Sequence, residues 1–229
     1  MGQAGIHGLA GAAVGRWAPD QEWLMTGIVL GSLFPDLDNF AVAAAVLTGN
    51  STEGLHRTFT HSLLLAALIW GAAWVYGRLT GKIRWRNLGM GLGIGILLHI
   101  LLDLLVWFNG VHLLWPLPVW VNLWENVIPP VWWMQLMLPA EFLAFALFFA
   151  GLGWLARRRN SNLSSIRSLK VWTAVQFLLF LIFTVLFFTV KSGFFTIYGG
   201  VYLLSLLLAL GITLKMRQTI EGQGGKVTR

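Results

Sequence analysis

Residues 87–108 read NLGMGLGIGILLHILLDLLVWF. As a helix the stretch is long enough to cross the ~30 Å hydrocarbon core of a bilayer, which takes about 20 apolar residues. It nevertheless carries His99 and Asp103, although an ionisable side chain at the bilayer centre costs ~2.5 kcal/mol or more. The two stand four positions apart, on one face of a helix. Either they form a structural His–Asp hydrogen bond, or they offer two ligand atoms from one rigid element.

The rest of the chain has the same character. Residues 60–77, 171–190 and 192–214 are long apolar stretches without Lys, Arg or acids, and 131–156 holds Glu141 as its ionisable group, with Pro139 expected to bend it. Hydrophobic residues make up 57% of the 229 positions and charged residues 11%, against roughly 25% charged in a soluble domain. With 13 Trp and 15 Phe and a mean hydropathy of +0.71, a water-soluble enzyme and a disordered tail are both excluded. The absence of cysteine removes disulfides, thiolate metal sites and cysteine nucleophiles, and leaves metal chemistry to His, Asp and Glu.

Before residue 50 the apolar runs are shorter. Those at 3–15, 23–34 and 39–49 are rich in Gly and Ala, with Pro35-Asp36-Leu37-Asp38 between the last two. Such lengths suit buried or re-entrant helices. No basic region of a cleavable signal precedes them. The expected fold is therefore all-α: a polytopic membrane bundle of about five long spans plus short N-terminal helices. Residues 1–130 carry the polar motifs, two spans and a Trp/Pro-rich outer loop. Residues 131–229 add three spans and a basic tail.

Basic residues orient the bundle. Arg78, Lys82, Arg84 and Arg86 share one loop; Arg157, Arg158, Arg159, Arg167 and Lys170 share another; Lys215, Arg217, Lys226 and Arg229 lie in the tail. With Arg16, 14 of the 16 basic residues fall on one side, assigned as cytoplasmic, while Arg57 and Lys191 lie opposite. The pI near 10.4 is then a topology signal, and no nucleic-acid partner is expected.

At ~1.5 Å per helical residue, His61, His99, Asp103 and Asp36 lie roughly 20–25 Å from the basic loops, and His7 roughly 14 Å. Separate segments thus bring imidazoles and carboxylates toward the outer half of the membrane. Each cluster alone has a structural alternative. His56-Arg57-Thr58-Phe59-Thr60-His61-Ser62 could be a headgroup-level loop in which Thr60 caps the next helix. Pro35-Asp36-Leu37-Asp38-Asn39 could be a turn, His7 a packed core residue, and Arg57 an interfacial anchor. Jointly they favour a shared cation, which neutralises acids and satisfies imidazoles at once; carboxylate oxygens beside imidazoles suit zinc or manganese.

His7-Gly8, Pro35-Asp36-Leu37-Asp38, His56-Arg57-x-x-Thr60-His61-Ser62, His99-x-x-x-Asp103 and Leu113-Leu114-Trp115-Pro116 resemble, in that order, the membrane-bound metal-dependent hydrolases, also described as LexA-binding, inner-membrane-associated hydrolases. The resemblance covers residues 1 to about 120. Where that family often has a His after the second Asp, this chain has Asn39. The succession is also similar to zinc-dependent phospholipase C. The resemblance implies His7, Asp36, His61, His99 and Asp103 as ligands of a divalent transition metal, most simply zinc. His56, His112 and Glu141 are candidates for a further metal or for supporting contacts.

These readings converge on a multi-pass inner-membrane hydrolase of a phosphoester or phosphodiester in a lipid or other amphiphilic substrate, its site facing the outer side and its C-terminus cytoplasmic. Asp36 or Asp38 would act as general base, and Arg57 would pair with phosphate. Trp107, Trp115, Trp120 and Trp124 would form an interfacial belt, with 109–130 as a re-entrant loop or lid. Two alternatives stand beside it: a ceramidase-type amidase, for which a His-x-x-x-His is missing, and a non-enzymatic metal-stabilised scaffold or regulator. An open coordination position separates hydrolase from scaffold.

Overall fold

The computed structural model describes residues 4–14, 17–190 and 192–222. Arg16, Lys191, Lys226 and Arg229, which enter the basic-residue pattern, lie outside the described residues. The helices are α1 (Ala4–Ala13), α2 (Leu24–Leu33), α3 (Asn39–Thr48), α4 (Leu63–Thr80), α5 (Ile83–Val106), α6 (Val131–Arg158), α7 (Ile166–Thr189), α8 (Phe194–Lys215) and the short α9 (Arg217–Ile220). The described residues form no strand beyond one isolated antiparallel bridge between Val111 and Val121. The all-α polytopic bundle is thus observed.

Among the described residues, six elements are long and apolar enough to cross a membrane, one more than the long runs suggest. The extra one is Leu24–Thr48. Pro35–Asp38 forms a 3-10 turn that joins α2 to α3 where a break was expected. Pro35 stands at the start of the turn, where its missing N–H is no loss. Phe34, Asp38 and Asn39 all keep right-handed helical dihedrals. At 10 residues, α1 reaches only ~15 Å and stays inside the bundle. Pro139 does not end α6, which runs from Val131 to Arg158; the Tyr198 hydroxyl donates to the Leu138 carbonyl beside it at 2.9 Å.

α2 and α5 pack along Gly27 and Gly31 on one helix and Gly91 and Gly95 on the other. A Cβ at Gly27 would stand 2.7 Å from the Leu88 carbonyl oxygen, and one at Gly95 2.6 Å from the Ser32 nitrogen, so only glycine allows this approach. Behind them lies a core drawn from α1, α2, α6, α7 and α8, in which Phe142 stacks on Phe183 (4.9 Å between centroids) and Tyr198 on Phe194 (5.9 Å).

The described basic loops meet at one end of the bundle. There Arg217 Nη1 lies 3.6 Å from Glu22 Oε1, the Asn87 amide donates to the Glu22 carbonyl (3.1 Å), and Arg159 Nη1 donates to the Thr219 (2.6 Å) and Ile220 (2.9 Å) carbonyls. At the other end, residues 107–130 fold over the entry to α4. The His112 N–H donates to the Arg57 carbonyl (2.9 Å) and the Leu63 N–H to the Leu113 carbonyl (3.0 Å).

Candidate metal centre

Four parts of the chain deliver the polar side chains. α5 supplies His99 and Asp103, both fully buried, one turn beyond the glycines that draw it against α2. That close approach lets His99 Nδ1 reach the Ser32 carbonyl at 2.7 Å. A carbonyl only accepts, so Nδ1 carries the proton and His99 Nε2 is left as a lone pair. α1 supplies His7, whose ring stacks on His99 at 3.6 Å. Its Nε2 lies 3.2 Å from Asp103 Oδ1 but without hydrogen-bond alignment. The 3-10 turn after α2 supplies Asp36 and Asp38. The segment before α4 supplies His56, Arg57, Thr60 and His61.

Asp38 organises that last segment. Its Oδ1 accepts from His56 Nδ1 (2.7 Å), and its Oδ2 from the Thr60 hydroxyl (2.7 Å) and the Arg57 N–H (3.2 Å). The Thr60 hydroxyl, having given its proton to Asp38, accepts from His61 Nδ1 at 3.0 Å. His61 Nε2 is therefore also a lone pair, and it stands 3.1 Å from His99 Nε2. Two acceptors face one another, with Asp103 Oδ2 at 3.4 Å from His61 Nε2 and 3.7 Å from His99 Nε2.

Such an arrangement is repulsive unless a cation joins the atoms. Two nitrogens bound to one zinc at about 2.0–2.1 Å lie roughly 2.8–3.4 Å apart for coordination angles of about 90–110°, and 3.1 Å falls in that interval. Three interlocking groups offer ligand atoms within 4.8 Å of one another: His7, His99 and Asp103; Asp36, His61 and His99; Asp38, His56 and His61. Buried atoms without hydrogen-bond partners point the same way, among them Asp36 Oδ2, Asp103 Oδ2, His56 Nε2 and both His7 nitrogens. Three carboxylates, Asp36, Asp38 and Asp103, share the site with a single guanidinium, that of Arg57, so a divalent ion also balances charge that would otherwise be strongly unfavourable in a buried site. These groups can hold a metal ion.

His56 lies outside the spans, and burial, the dominant cause, holds its imidazole down to about 4 against the opposing pull of Asp38. It is neutral near pH 7, with Nε2 free to bind.

The structure sorts the remaining candidates. Arg57 is no interfacial anchor: it is 4% exposed, donates through Nη1 to the Asn109 carbonyl (2.8 Å) and through Nη2 to Asp103 Oδ1 (3.4 Å), and lies over Trp107. Trp107 leaves the expected belt for the same reason, buried beneath that guanidinium. Thr60 does not cap α4. Ser62 does, accepting from the Leu65 N–H at 3.2 Å, because the helix starts two residues later than a Thr60 cap requires. Both oxygens of Asp38 are engaged by protein donors, whereas Asp36 keeps an unpartnered Oδ2. Asn39, which stands where the resembled hydrolases often have His, donates to the Asp36 carbonyl at 3.0 Å.

His112 joins none of the three groups; its ring packs edge-on to Trp120 (4.8 Å), and its contribution is the backbone bond to Arg57. Glu141 also stands outside them. Its Oε1 accepts from the Gly5 N–H at 2.7 Å, tying α6 to α1, and its Oε2 is buried without a partner. The carbonyl of Ser32 was not foreseen, although the glycine spacing Gly27-x-x-x-Gly31 and Gly91-x-x-x-Gly95 marks the helix contact that brings it to His99.

The profile of the family described as YdjM inner membrane protein matches residues 2–192. The chain belongs to the YdjM family. The match takes in every residue of the centre and runs well beyond residue 120, through α7. YdjM membership and the six apolar elements together make this a multi-pass inner-membrane protein. No curated protein and no solved structure matches the chain.

Proposed function

We propose that the chain is an integral-membrane, metal-dependent hydrolase of a phosphoester or phosphodiester in a lipid or other amphiphile. The observation that carries the reading is the pair of facing lone pairs, His61 Nε2 and His99 Nε2, 3.1 Å apart beside Asp103. His7, Asp36, His61, His99 and Asp103 would hold the ion, and nitrogen and carboxylate donors of this kind suit zinc. A bound divalent ion supplies Lewis acidity, acidifying water and polarising a phosphoryl oxygen.

The protein's own groups do the rest. Asp36 Oδ2, without a protein partner, takes the proton of the attacking water. Asp38, through Thr60, fixes the tautomer of His61, as the Ser32 carbonyl does for His99. Arg57, held by Asn109 and Asp103, turns its remaining N–H groups to a substrate phosphate. With the basic loops placed in the cytoplasm, the centre lies in the outer half of the bilayer. An amphiphile then enters sideways, its polar head at the metal ligands.

The test is metal analysis of detergent-purified protein, with hydrolysis of bis-p-nitrophenyl phosphate and of a fluorescent phospholipid in vesicles. Near-stoichiometric zinc is expected, and His99→Ala and Asp103→Ala each lose it together with at least 100-fold in rate. A folded, active double variant, or a folded protein that takes up no metal, overturns the reading. Tightly bound metal with no hydrolysis of either substrate points instead to a closed, structural site and a scaffold.

A further inference from the structure

A second site lies at the opposite end of the bundle. Between the C-terminal turns of α1 and α6 opens a cavity of about 610 Å³, within the roughly 300–1,000 Å³ range of small-molecule sites. Leu9 and Ala13 form one wall and Phe148 and Leu152 the other, while Arg158 and Arg159 stand at its mouth. The Arg158 guanidinium lies 5.2 Å from the ring centroid of Trp154, which is 54% exposed and also lines the cavity. Arg159 is fixed by the two carbonyls near α9, so its position does not depend on a ligand.

The basic residues of this end need not all serve topology in the same way. Arg157, on the next face of α6, lines a different crevice with Lys170. Arg158 and Arg159 instead crown a space with apolar walls. A guanidinium pair matches the oxygens of a phosphate. The apolar walls match hydrocarbon, and an exposed Trp belongs at the membrane interface. Free phosphate accounts for the arginines alone, and a neutral lipid for the walls alone. Basic pockets between spans at the cytoplasmic side are a general form of anionic headgroup site.

We infer that this cavity binds an anionic phospholipid of the leaflet at the basic end, its phosphate between Arg158 and Arg159 and the start of its acyl chains between α1 and α6. The inference is independent of the metal centre.

Thermal unfolding of the purified full chain in neutral detergent tests it, with dioleoyl phosphatidylglycerol, dioleoyl phosphatidylcholine and inorganic phosphate as separate additions. Phosphatidylglycerol is expected to raise Tm by several degrees and to bind at least fivefold tighter than phosphatidylcholine, with phosphate alone inert. A Cβ at Gly151 meets nothing within 4 Å, so Gly151→Trp fills the space without a clash at the backbone. Gly151→Trp and Arg158→Gln should each weaken phosphatidylglycerol binding at least fivefold, and Arg157→Gln should not. Equal stabilisation by the two lipids, an equal effect of phosphate, or unchanged binding in folded Arg158→Gln overturns the inference. Zinc content, measured alongside, should not change in Arg158→Gln, which keeps this result separate from the fate of the metal reading.

Discussion

The proton on each imidazole is set by its neighbour, and this gives Thr60 more weight than its size suggests. Its hydroxyl donates to Asp38 and accepts from His61, so Thr60→Val removes the closer of two acceptors at His61 Nδ1, the other being Asp38 Oδ2 at 3.3 Å. Outer partners of metal-binding imidazoles are typically worth 10–100-fold in affinity, and zinc affinity of Thr60→Val, read by chelator competition, should fall by about that factor. An unchanged affinity would mean that His61 is oriented by Asp38 alone. The variant also leaves a buried Asp38 oxygen short of a donor, at ~1–3 kcal/mol. At this scale the sequence spoke unevenly. His99 and Asp103 announce themselves by spacing within an apolar helix, and His61 and Asp36 by depth. The division of labour between Asp36 and Asp38 was not legible, because it depends on which oxygens meet donors from a segment about 20 residues away.

Among the elements, the α2–α5 contact places the site. Gly31 and Gly95 stand where the two backbones touch, and the residue after Gly31 and the turn after Gly95 present Ser32 and His99 to one another. Gly95→Ala pushes the helices apart, and overpacking of this kind costs ~1–3 kcal/mol. A lower Tm together with weakened zinc binding is the expected outcome. Gly211→Ala, whose Cβ would meet nothing within 4 Å, should leave Tm unchanged or raise it, since alanine favours a helix by ~1 kcal/mol. Equal behaviour of the two variants would remove the close contact from the account. The apolar runs at 23–34 and 39–49 were visible as short helices. Their union into one membrane-length element was not, because Pro35 commonly breaks a helix, and here it opens a 3-10 turn instead.

For the molecule as a whole, alternation of the six elements with the basic loops predicts a sidedness that can be checked directly. The chain has no native cysteine, so Glu125→Cys, in the exposed part of residues 107–130, and Lys82→Cys report cleanly. An impermeant maleimide added to intact cells should reach position 125 and miss position 82; the reverse would turn the metal centre toward the cytoplasm. The overall bundle was readable from composition and run lengths, because a bilayer leaves the backbone few choices. The contribution of the later helices to the centre was not, since Glu141 reaches α1 across 136 residues of sequence.

That bond also sets an order of assembly. α1 precedes α6 in the chain and is too short to span alone, and its Gly5 N–H has no final acceptor until α6 has emerged and delivered Glu141. The helix that carries His7 is therefore anchored by a group synthesised after Asp103, and one wall of the candidate centre is secured only once α6 is in place.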